Sequence, residues 1–467
     1  DLINRPFNCI GINRHHVTAI TCSIEMSHPS QRVHQLLNQL NPQPTNASTS
    51  PSSTSSLNEV VIVGYARTPM GSGPLNGSLS SFTAPDLGAI AIRGALRRAG
   101  VAPKDVEECI MGNVLSAGIG QAPARQAALK AGLPVSTPCT TINKVCASGM
   151  KAFMFGCDAI RVGNRDCVVV GGMESMSNAP FLLKDTRNGR GLKFGHSIAT
   201  DALIHDGLTD AYHQGVHMGT VAELTAQKLN ITRAEQDAYA KQSYERAQAA
   251  TKAKKFANEI EPIEIKGKDG KVKVIRDDEE VFRANFDRFP TLKPTFPTVI
   301  KGVSDPKSPP PTGTVTAANS SVIADGAAAI VLMSKQKAES LGLKPIGRIL
   351  SHADAALSPL EFTIAPEVAC RQAIQKAGLK SVDEVDIWEL NEAFSLVSCA
   401  NQKLLGIPSE KICLFGGAIS LGHPIGCSGS RIICTLMTVL ESEGKSIGCA
   451  ALCNGGGGAS AVVIQRI

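Results

Sequence analysis

An internal repeat is the strongest constraint that this sequence places on its fold. Residues 93–100 (RGALRRAG) match residues 371–378 (RQAIQKAG) without a gap, at an offset of 278 positions. In both copies the pattern predicts a helix that ends at a glycine, then a short loop and a buried strand, at 109–111 and at 387–388. Because the similarity persists through helix, loop and strand, the sequence predicts two similar α/β halves that share a core.

Composition and charge exclude several classes of protein. The 467 residues are 43% hydrophobic, which is enough for two or three domains, and the net charge of +6 shows no basic stripe of the kind that binds nucleic acid. The 14 cysteines include no Cys-x-x-Cys pair, so we expect reduced, mostly buried thiols rather than a structural zinc site. No apolar run reaches the roughly 18 residues that cross a bilayer, and we expect no membrane span.

Residues 1–57 differ from the rest of the chain and are predicted to be a disordered or targeting leader. Asn, Gln, Ser, Thr, Pro and His dominate this stretch, and residues 46–56 form a low-complexity linker. An apolar run at 59–64 then predicts the first buried strand of the folded body.

Two compartments fit this leader. The pattern Arg32-Val33-x5-Gln39-Leu40 resembles an N-terminal peroxisomal import signal. Scattered arginines, many Ser and Thr residues and scarce acids are nearly as typical of a mitochondrial transit peptide. The prediction therefore stays open between peroxisome and mitochondrion, with the cytosol less favoured.

Three glycine-rich segments carry the residues best suited to chemistry. Cys146, in NKVCASGM, precedes a predicted helix whose dipole is expected to lower the thiol pKa below its free value of about 8.5. His423, in GHPIG, is held extended before a proline and can take a proton from Cys146. Cys453 precedes four glycines and a buried strand, which predicts a tight turn whose N–H groups can bind an oxyanion. Local sequence alone leaves a structural role as the alternative for each residue.

Two further regions are candidates for the same site. Asn391 ends a predicted strand and can position a water or donate to an oxyanion, and Glu392 can orient Asn391 or His423. Residues 177–312 have no counterpart in the repeat, and they include a charged helix and a predicted hairpin that turns at Asp269-Gly270. Such an insertion is expected to cover or bind substrate, or to pack between subunits.

Together these segments resemble the thiolase family over residues 58–467. The motifs NKVCASGM, NEAF, GHPIG and CNGGGG occur in the order and at the spacing of that family. The resemblance implies a five-layered α/β/α/β/α fold made of two duplicated halves, residues 58–176 with 313–335 and residues 336–467, with 177–312 as an inserted, coenzyme A-binding loop domain. It also implies acyl transfer to and from coenzyme A without a covalent cofactor, in a homodimer or homotetramer.

The resemblance also implies roles for single residues. Cys146 would accept the acyl group, His423 would activate it, and Cys453 would remove a proton from the methyl group of a second acetyl-CoA. Asn391, through a water, and His423 would form one oxyanion hole. The N–H groups of Cys146 and Gly455 would form the other, where one well-placed donor is worth about 3 kcal/mol.

Within the family, the resemblance is greatest to acetoacetyl-CoA thiolases, which join two acetyl-CoA molecules into acetoacetyl-CoA and coenzyme A. A degradative 3-ketoacyl-CoA thiolase of broader chain length is the alternative, and a non-catalytic lipid or coenzyme A carrier is a more remote one. Thr363 stands where relatives that accept 2-methyl substrates carry proline, so use of branched substrates is doubtful. The likeness implies contacts with coenzyme A at His217, Met218, Arg283, Arg288 and Ser321, and a possible K⁺ site at Tyr212, Ala317, Ala318, Ser320 and Ile419.

Overall fold

The computed structural model describes residues 57–467, apart from short gaps at 74–76, 185, 188–193, 195, 268 and 305–311. The predicted leader, including the possible import signal, lies outside the described residues except for Leu57. Within the described part of the chain, no helix is long and apolar enough to cross a membrane.

Strands and helices alternate through most of the chain. The strands are β1 Val60–Arg67, β2 Gly71–Ser72, β3 Glu108–Gly112, β4 Cys139–Ile142, β5 Cys167–Ser175, β6 Phe181–Leu183, β7 Ala199–Asp201, β8 Ile263–Lys266, β9 Val272–Ile275, β10 Ala324–Ser334, β11 Gly347–Ala356, β12 Ile387–Leu390, β13 Ile447–Asn454 and β14 Gly458–Arg466. The α-helices are α1 Ala84–Ala99, α2 Pro123–Ala131, α3 Ser148–Arg161, α4 Met218–Leu229, α5 Arg233–Lys252, α6 Lys335–Ser340, α7 Ala365–Lys376, α8 Ser395–Leu405, α9 Ala418–Leu421 and α10 Ser428–Ser442.

The main sheet has ten strands and consists of two halves of the same design. Its order is β12-β13-β14-β11-β1-β10-β5-β3-β4, with β2 added beside β10. The two halves meet where β1 pairs with β11 over two residue pairs, Val61 with Arg348 and Ile62 with Gly347. The main elements of each half follow one another in the same order. A first strand leads to an outer helix, a second strand and an inner helix, and then to a third strand that lies parallel to the second and a fourth that lies antiparallel to the third. The predicted duplication is confirmed.

Alternating strand residues divide the core into layers. In β1, Val61 and Val63 pack with α1 and α2 on one face, whereas Val60 and Ile62 face α3 and α10. In the second half, α7 covers the outer faces of β11 to β14. The helices α3 and α10 therefore lie between the two halves of the sheet, and the five-layered fold is confirmed.

Glycines allow the two central helices to touch near their N-termini. A Cβ atom on Gly429 of α10 would lie 2.3 Å from the backbone N of Met150 in α3. A Cβ on Gly149 of α3 would lie 2.7 Å from the Ser430 Oγ. Any larger residue separates the helices, and both helices begin directly after candidate catalytic loops.

The Gly429→Ala variant is expected to lose about 1–3 kcal/mol of unfolding free energy, because the added methyl overlaps the backbone of α3. Urea unfolding of the variant and of Ser442→Ala, an exposed position on the same helix, measures this loss. A Gly429→Ala protein as stable as Ser442→Ala would show that the helix crossing is not tight.

The insertion packs on this core through α5 and a buried ion cluster. Thr232 caps α5 and exchanges hydrogen bonds with Glu235, so the predicted charged helix is confirmed from Arg233. The predicted hairpin is also confirmed, as β8 pairs with β9 around the turn. Arg67 of β1 is fully buried and donates to Glu259 at 2.5 Å and to Asp278 at 2.6 and 2.8 Å. The assignment of 177–312 to coenzyme A binding stays a prediction.

Candidate active site

The loop between β4 and α3 carries Cys146 and is held in a strained shape. Val145 has a φ of +49°, which a β-branched residue rarely adopts. Ser148 closes the loop, because its Oγ accepts from the Lys144 N–H at 2.8 Å and donates to the Val145 carbonyl at 2.6 Å. Cys146 is half-buried and packs inward against Ile425 and its apolar neighbours.

A group of ion pairs and hydrogen bonds around Asp354 also connects this loop to the other half of the molecule. Asp354 of β11 accepts hydrogen bonds from Lys144, from Lys151 at 2.6 Å and from the Ser460 hydroxyl at 2.6 Å. Although burial opposes the charge, the two lysines and Ser460 hold the pKa of Asp354 at about 2. The ionised carboxylate thus joins the Cys146 loop to β11 and β14.

The Asp354→Asn variant is expected to lose about 1 kcal/mol of stability at pH 7, a value reduced for the partial exposure of all three charged groups. The pKa is depressed in the folded state, so the stabilisation is present above the unfolded value near 3.8 and is lost as pH falls towards 2. Thermal melting from pH 7 to pH 2 should therefore show the two proteins converging at acidic pH. A constant difference over that range would contradict this.

The Cys146 loop lies next to the glycine turn of the second half, the residues 455–457 that follow Cys453. A Cβ on Gly455 would lie 3.6 Å from the Val145 Cγ1, and the backbone N–H groups of Gly455 and of Cys146 itself favour the thiolate form of Cys146. Cys453 lies close enough to interact with Cys146 electrostatically. Burial raises the pKa of Cys146 to about 12, against the effect of these two N–H groups. The expectation of a lowered pKa was wrong, because loss of water outweighs the field of a helix end. The thiol therefore needs a base.

Cys453 lies at the end of β13, and the predicted tight turn after it is confirmed. Asn454 pairs with Gly458 across the turn, and Gly456 and Gly457 have φ values of +83° and +88°. A Cβ on Gly457 would lie 2.4 Å from the Leu357 carbonyl oxygen, so only glycine fits there. Burial and the neighbouring Cys146 raise the pKa of Cys453 well above its usual value.

His423 lies on the loop between α9 and α10, and its surroundings fix which nitrogen carries the proton. Its Nδ1 lies 2.6 Å from the Ser428 Oγ, and that hydroxyl donates to the Pro424 carbonyl at 3.0 Å. Because the single hydroxyl proton is used in that way, Nδ1–H is the donor to Ser428 and Nε2 holds a free electron pair. Among the described residues, the buried Nε2 has no hydrogen-bond partner.

His423 is suited to act as a neutral base. Burial, and then the positive charge of Arg431, lower the pKa of His423 to about 3. The loop of His423 also packs on the start of α3, since a Cβ on Gly149 would lie 3.1 Å from the Gly426 oxygen. The structure therefore brings the loops of Cys146, His423 and Cys453 to one place between the two halves.

Ser428 orients the His423 ring, although no local sequence pattern marks it as a functional residue. The Ser428→Ala variant leaves Nδ1–H without its acceptor, and we expect kcat to fall about 10- to 100-fold, as for other residues that orient a catalytic imidazole. Steady-state kinetics of this variant and of Ser430→Ala measure the effect. Ser430 lies on the same turn and its Oγ has no partner in the described structure, so equal losses in both variants would contradict the role of Ser428.

Asn391 follows β12 with both polar side-chain atoms buried and, among the described residues, without hydrogen-bond partners. Such a side chain suits a bound water or a substrate oxygen. Glu392 does not orient it or His423, contrary to expectation. Its carboxylate accepts from Tyr239 at 3.1 Å, from Ser243 at 2.7 Å and from the Ile419 N–H at 3.1 Å.

A short segment connects the loops of Asn391 and His423. The Ser321 N–H donates to the Ala393 carbonyl at 3.0 Å, and the Val322 carbonyl accepts from the His423 N–H at 2.8 Å. Ser321, a predicted coenzyme A contact, thus lies directly beside the candidate catalytic residues.

The other predicted coenzyme A contacts lie in the insertion. His217 caps α4 through Nδ1 and stacks on Phe296 at 4.6 Å between ring centroids. Met218 lies beside the glycine turn, with its sulfur 3.7 Å from a Cβ built on Gly455. Arg283 is paired with two glutamates of its own segment, and Arg288 is exposed on its surface. Only Met218 and Ser321 therefore reach the candidate catalytic residues directly.

The predicted K⁺ ligands are only partly brought together. Ala318 and Ile419 pack in one cluster with Tyr239, and the Ser320 Oγ donates to the Thr316 carbonyl at 2.7 Å. Ala317 is exposed in the same turn. Tyr212 is 72% exposed and does not belong to this cluster. Backbone oxygens of this turn suit a hard cation such as K⁺. The exposed side chain of Tyr212 does not contribute to such a site.

Comparison with known proteins agrees with this geometry. The family model of the thiolase N-terminal domain matches residues 60–336, and that of the thiolase C-terminal domain matches residues 343–466. The chain is 50% identical to the mitochondrial acetyl-CoA acetyltransferase of Bos taurus, over 88% of this chain and 92% of the bovine protein. It is 49% identical to the acetyl-CoA acetyltransferase of Schizosaccharomyces pombe, over 88% and 99% of the two chains.

Solved structures show the same likeness. A thiolase from Ascaris suum in complex with coenzyme A superposes with a TM-score of 0.79 at 42% identity, and it covers 88% of this chain and 100% of its own. The acetyl-CoA acetyltransferase of Syntrophomonas wolfei gives a TM-score of 0.81 at 39% identity over the same shares. The chain belongs to the thiolase family.

Proposed function

We propose that this chain is an acetyl-CoA C-acetyltransferase, which reversibly joins two acetyl-CoA molecules into acetoacetyl-CoA and coenzyme A. The observation that carries the proposal is that the loops of Cys146, of Cys453 with its glycine turn and of the neutral imidazole His423 come together. Relatives about half identical to this chain are named acetyl-CoA acetyltransferase.

The first half-reaction is transfer of an acetyl group to Cys146. The free Nε2 of His423 takes the thiol proton, and the sulfur attacks the thioester carbonyl of acetyl-CoA. Coenzyme A leaves as a thiolate and receives that proton from His423, so the products are acetyl-Cys146 and coenzyme A. The N–H groups at Cys146 and Gly455 would stabilise negative charge on the carbonyl oxygen.

The second half-reaction forms the carbon–carbon bond. Cys453 removes a proton from the methyl group of a second acetyl-CoA, and the resulting enolate attacks acetyl-Cys146. Acetoacetyl-CoA leaves, and the proton from the methyl group ends on the Cys146 sulfur, which restores the enzyme. This step requires Cys453 as the thiolate, which is restored when the methyl proton passes from Cys453 to the Cys146 sulfur. Because burial raises the pKa of Cys453, that thiolate is a strong base, which suits a weakly acidic C–H bond. Asn391, with a water, and His423 would stabilise the enolate oxygen, and their unpartnered polar atoms support this role.

The proposal includes a preference for short acyl groups over long ones. Cys453 packs against Met218 and Phe394, and Phe296 contacts Phe394 edge to face at 6.1 Å between centroids. These apolar side chains lie in one cluster with the thiol, and we propose that they favour a short acyl group.

Steady-state thiolysis against acyl chain length, with and without K⁺, tests the proposal. Highest kcat/KM for acetoacetyl-CoA supports it, whereas highest kcat/KM for medium- or long-chain 3-ketoacyl-CoA favours a degradative thiolase. No thiolysis of any chain length points to a carrier. A rise in rate with K⁺ that is lost on changing Ala318 to a bulky residue supports the cation site.

Compartment and assembly are also proposals. Relatives are named both mitochondrial, in Bos taurus, and cytosolic, in Gibberella zeae. We propose an organellar location directed by residues 1–57, in the peroxisome or the mitochondrion. Imaging of residues 1–57 fused to a fluorescent protein distinguishes the two, and diffuse cytosolic signal contradicts both. We also propose a homodimer or homotetramer, which sedimentation measures.

A further inference from the structure

A fully buried arginine near the active site has no direct hydrogen bond. Arg431 of α10 has no exposed side-chain surface, and its three nitrogens have no hydrogen-bond partners among the described residues. Both carboxylate oxygens of Glu389 in β12 are equally buried and unpartnered there. The shortest distance between the two groups, from Arg431 Nη1 to Glu389 Oε2, is 3.8 Å, which is too long for a hydrogen bond.

The rest of the core shows that this gap is unusual. Arg67 is just as buried, yet it binds Glu259 and Asp278 at 2.5 to 2.8 Å. An unsolvated charge without hydrogen bonds costs several kcal/mol. Buried polar groups that do not reach each other are ordinarily bridged by internal water, which needs two to four polar partners. Arg431 and Glu389 offer five such atoms.

The gap lies next to the candidate catalytic residues. Glu389 and Asn391 are two positions apart along extended chain, so their side chains leave the same face. Arg431 lies one helical turn after Ser428, which binds His423, and its charge acts on the His423 ring. Asn391 and the Nε2 of His423 are also buried and unpartnered in the described structure. The polar atoms without partners thus lie on neighbouring elements around the loops of Asn391 and His423.

We propose that internal water molecules held between Arg431 and Glu389 extend to Asn391 and His423. Arg431 and Glu389 are then positioning residues, because they hold the water through which Asn391 stabilises an oxyanion. The inference rests on the proposed function for its catalytic part only. The water site itself follows from the buried, unpartnered groups.

The charges around this water site support a second effect of Arg431. Its guanidinium disfavours a positive imidazole, which keeps His423 neutral with a free electron pair on Nε2. Burial raises the pKa of Glu389 to about 8, against the effect of Arg431, so Glu389 is neutral at pH 7 and can donate a hydrogen bond. The other ionisable groups that interact with Arg431 or Glu389 are Glu392, Glu259, Arg246, Cys413 and Cys427.

A crystal structure of the full chain tests the water site. Ordered water within hydrogen-bonding distance of both Arg431 and Glu389 is the expected result. A dry contact in which the two side chains bind each other directly would overturn the proposal. This readout does not depend on the substrate, so it stands even if the wild-type protein forms no acetoacetyl-CoA, an outcome that would contradict the proposed function instead.

Kinetics of variants test the positioning role. In Arg431→Met, kcat for condensation is expected to fall about 100-fold with KM for acetyl-CoA nearly unchanged, and Arg431→Lys should recover part of the loss. In the wild type, kcat is expected to change near pH 8 as Glu389 ionises. Glu389→Gln keeps the shape of the side chain but cannot ionise, so its kcat should show no such change.

The matched control is Thr435→Val, which removes a buried hydrogen bond to Glu259 one turn further along α10. Its stability should fall while its kcat and pH profile stay those of the wild type. If kcat in all four variants simply follows their stability, or if the pH profile of Glu389→Gln equals that of the wild type, the positioning role is wrong.

Discussion

Replacement of Cys146 by serine is expected to lower the rate of acetoacetyl-CoA formation by roughly 10⁴-fold or more, as removal of other covalent nucleophiles does. His423 is neutral with a pKa of about 3, so it is a weak base. A thiol is nevertheless far more acidic than a hydroxyl in the same place, so this imidazole can activate Cys146 but hardly a serine. The serine variant should therefore bind acetyl-CoA and fail at acyl transfer.

The matched control for this variant is Cys139→Ser, a half-buried thiol on β4 that precedes the same loop. Its rate should stay within about 2-fold of the wild type, because surface and peripheral substitutions have small effects. Condensation by Cys146→Ser at the wild-type rate would show that another group accepts the acetyl chain. An equal loss in Cys139→Ser would indicate damage to the fold instead.

Replacement of Cys453 by alanine is expected to separate the two half-reactions. Turnover to acetoacetyl-CoA should fall roughly 10³-fold, within the range for loss of a general base. Acetylation of Cys146 should continue, because its base is His423 and its oxyanion donors are the N–H groups at Cys146 and Gly455. Rapid-quench measurement of acetyl-enzyme, beside steady-state turnover, gives both rates.

The control for Cys453→Ala is Cys449→Ala, a buried thiol of the same strand that packs in the outer layer of the second half. It should retain turnover and acetylation. Retention of turnover in Cys453→Ala would contradict its role as the base. Loss of acetylation together with turnover, in a protein that melts normally, would show that Cys453 takes part in the first half-reaction as well.

Much of this architecture is predictable from the sequence, because local patterns carry it. The repeat at 93–100 and 371–378 predicts the two halves, and the glycines after Cys453 predict the tight turn. The hairpin around Asp269-Gly270 follows from ordinary turn chemistry. These features depend on residues close together in the chain.

The rest depends on three-dimensional burial and could not be read from local patterns. The pKa of Cys146 is set by removal of water, which outweighs the helix end. Glu392 turns to Ser243 and Tyr239, 149 and 153 positions away in sequence. The sequence around Arg431 is that of an ordinary helix residue. Its position opposite Glu389 follows only from the packing of α10 between the two halves of the sheet.

Peptide mass spectrometry of the wild-type protein after brief incubation with acetyl-CoA alone tests directly which thiol accepts the acetyl group. We expect one added acetyl group on the peptide that contains Cys146, and its loss when coenzyme A is then added. An acetyl group on the Cys453 peptide instead, or none on any cysteine while acetoacetyl-CoA accumulates, would contradict the assignment of Cys146 as the acyl acceptor.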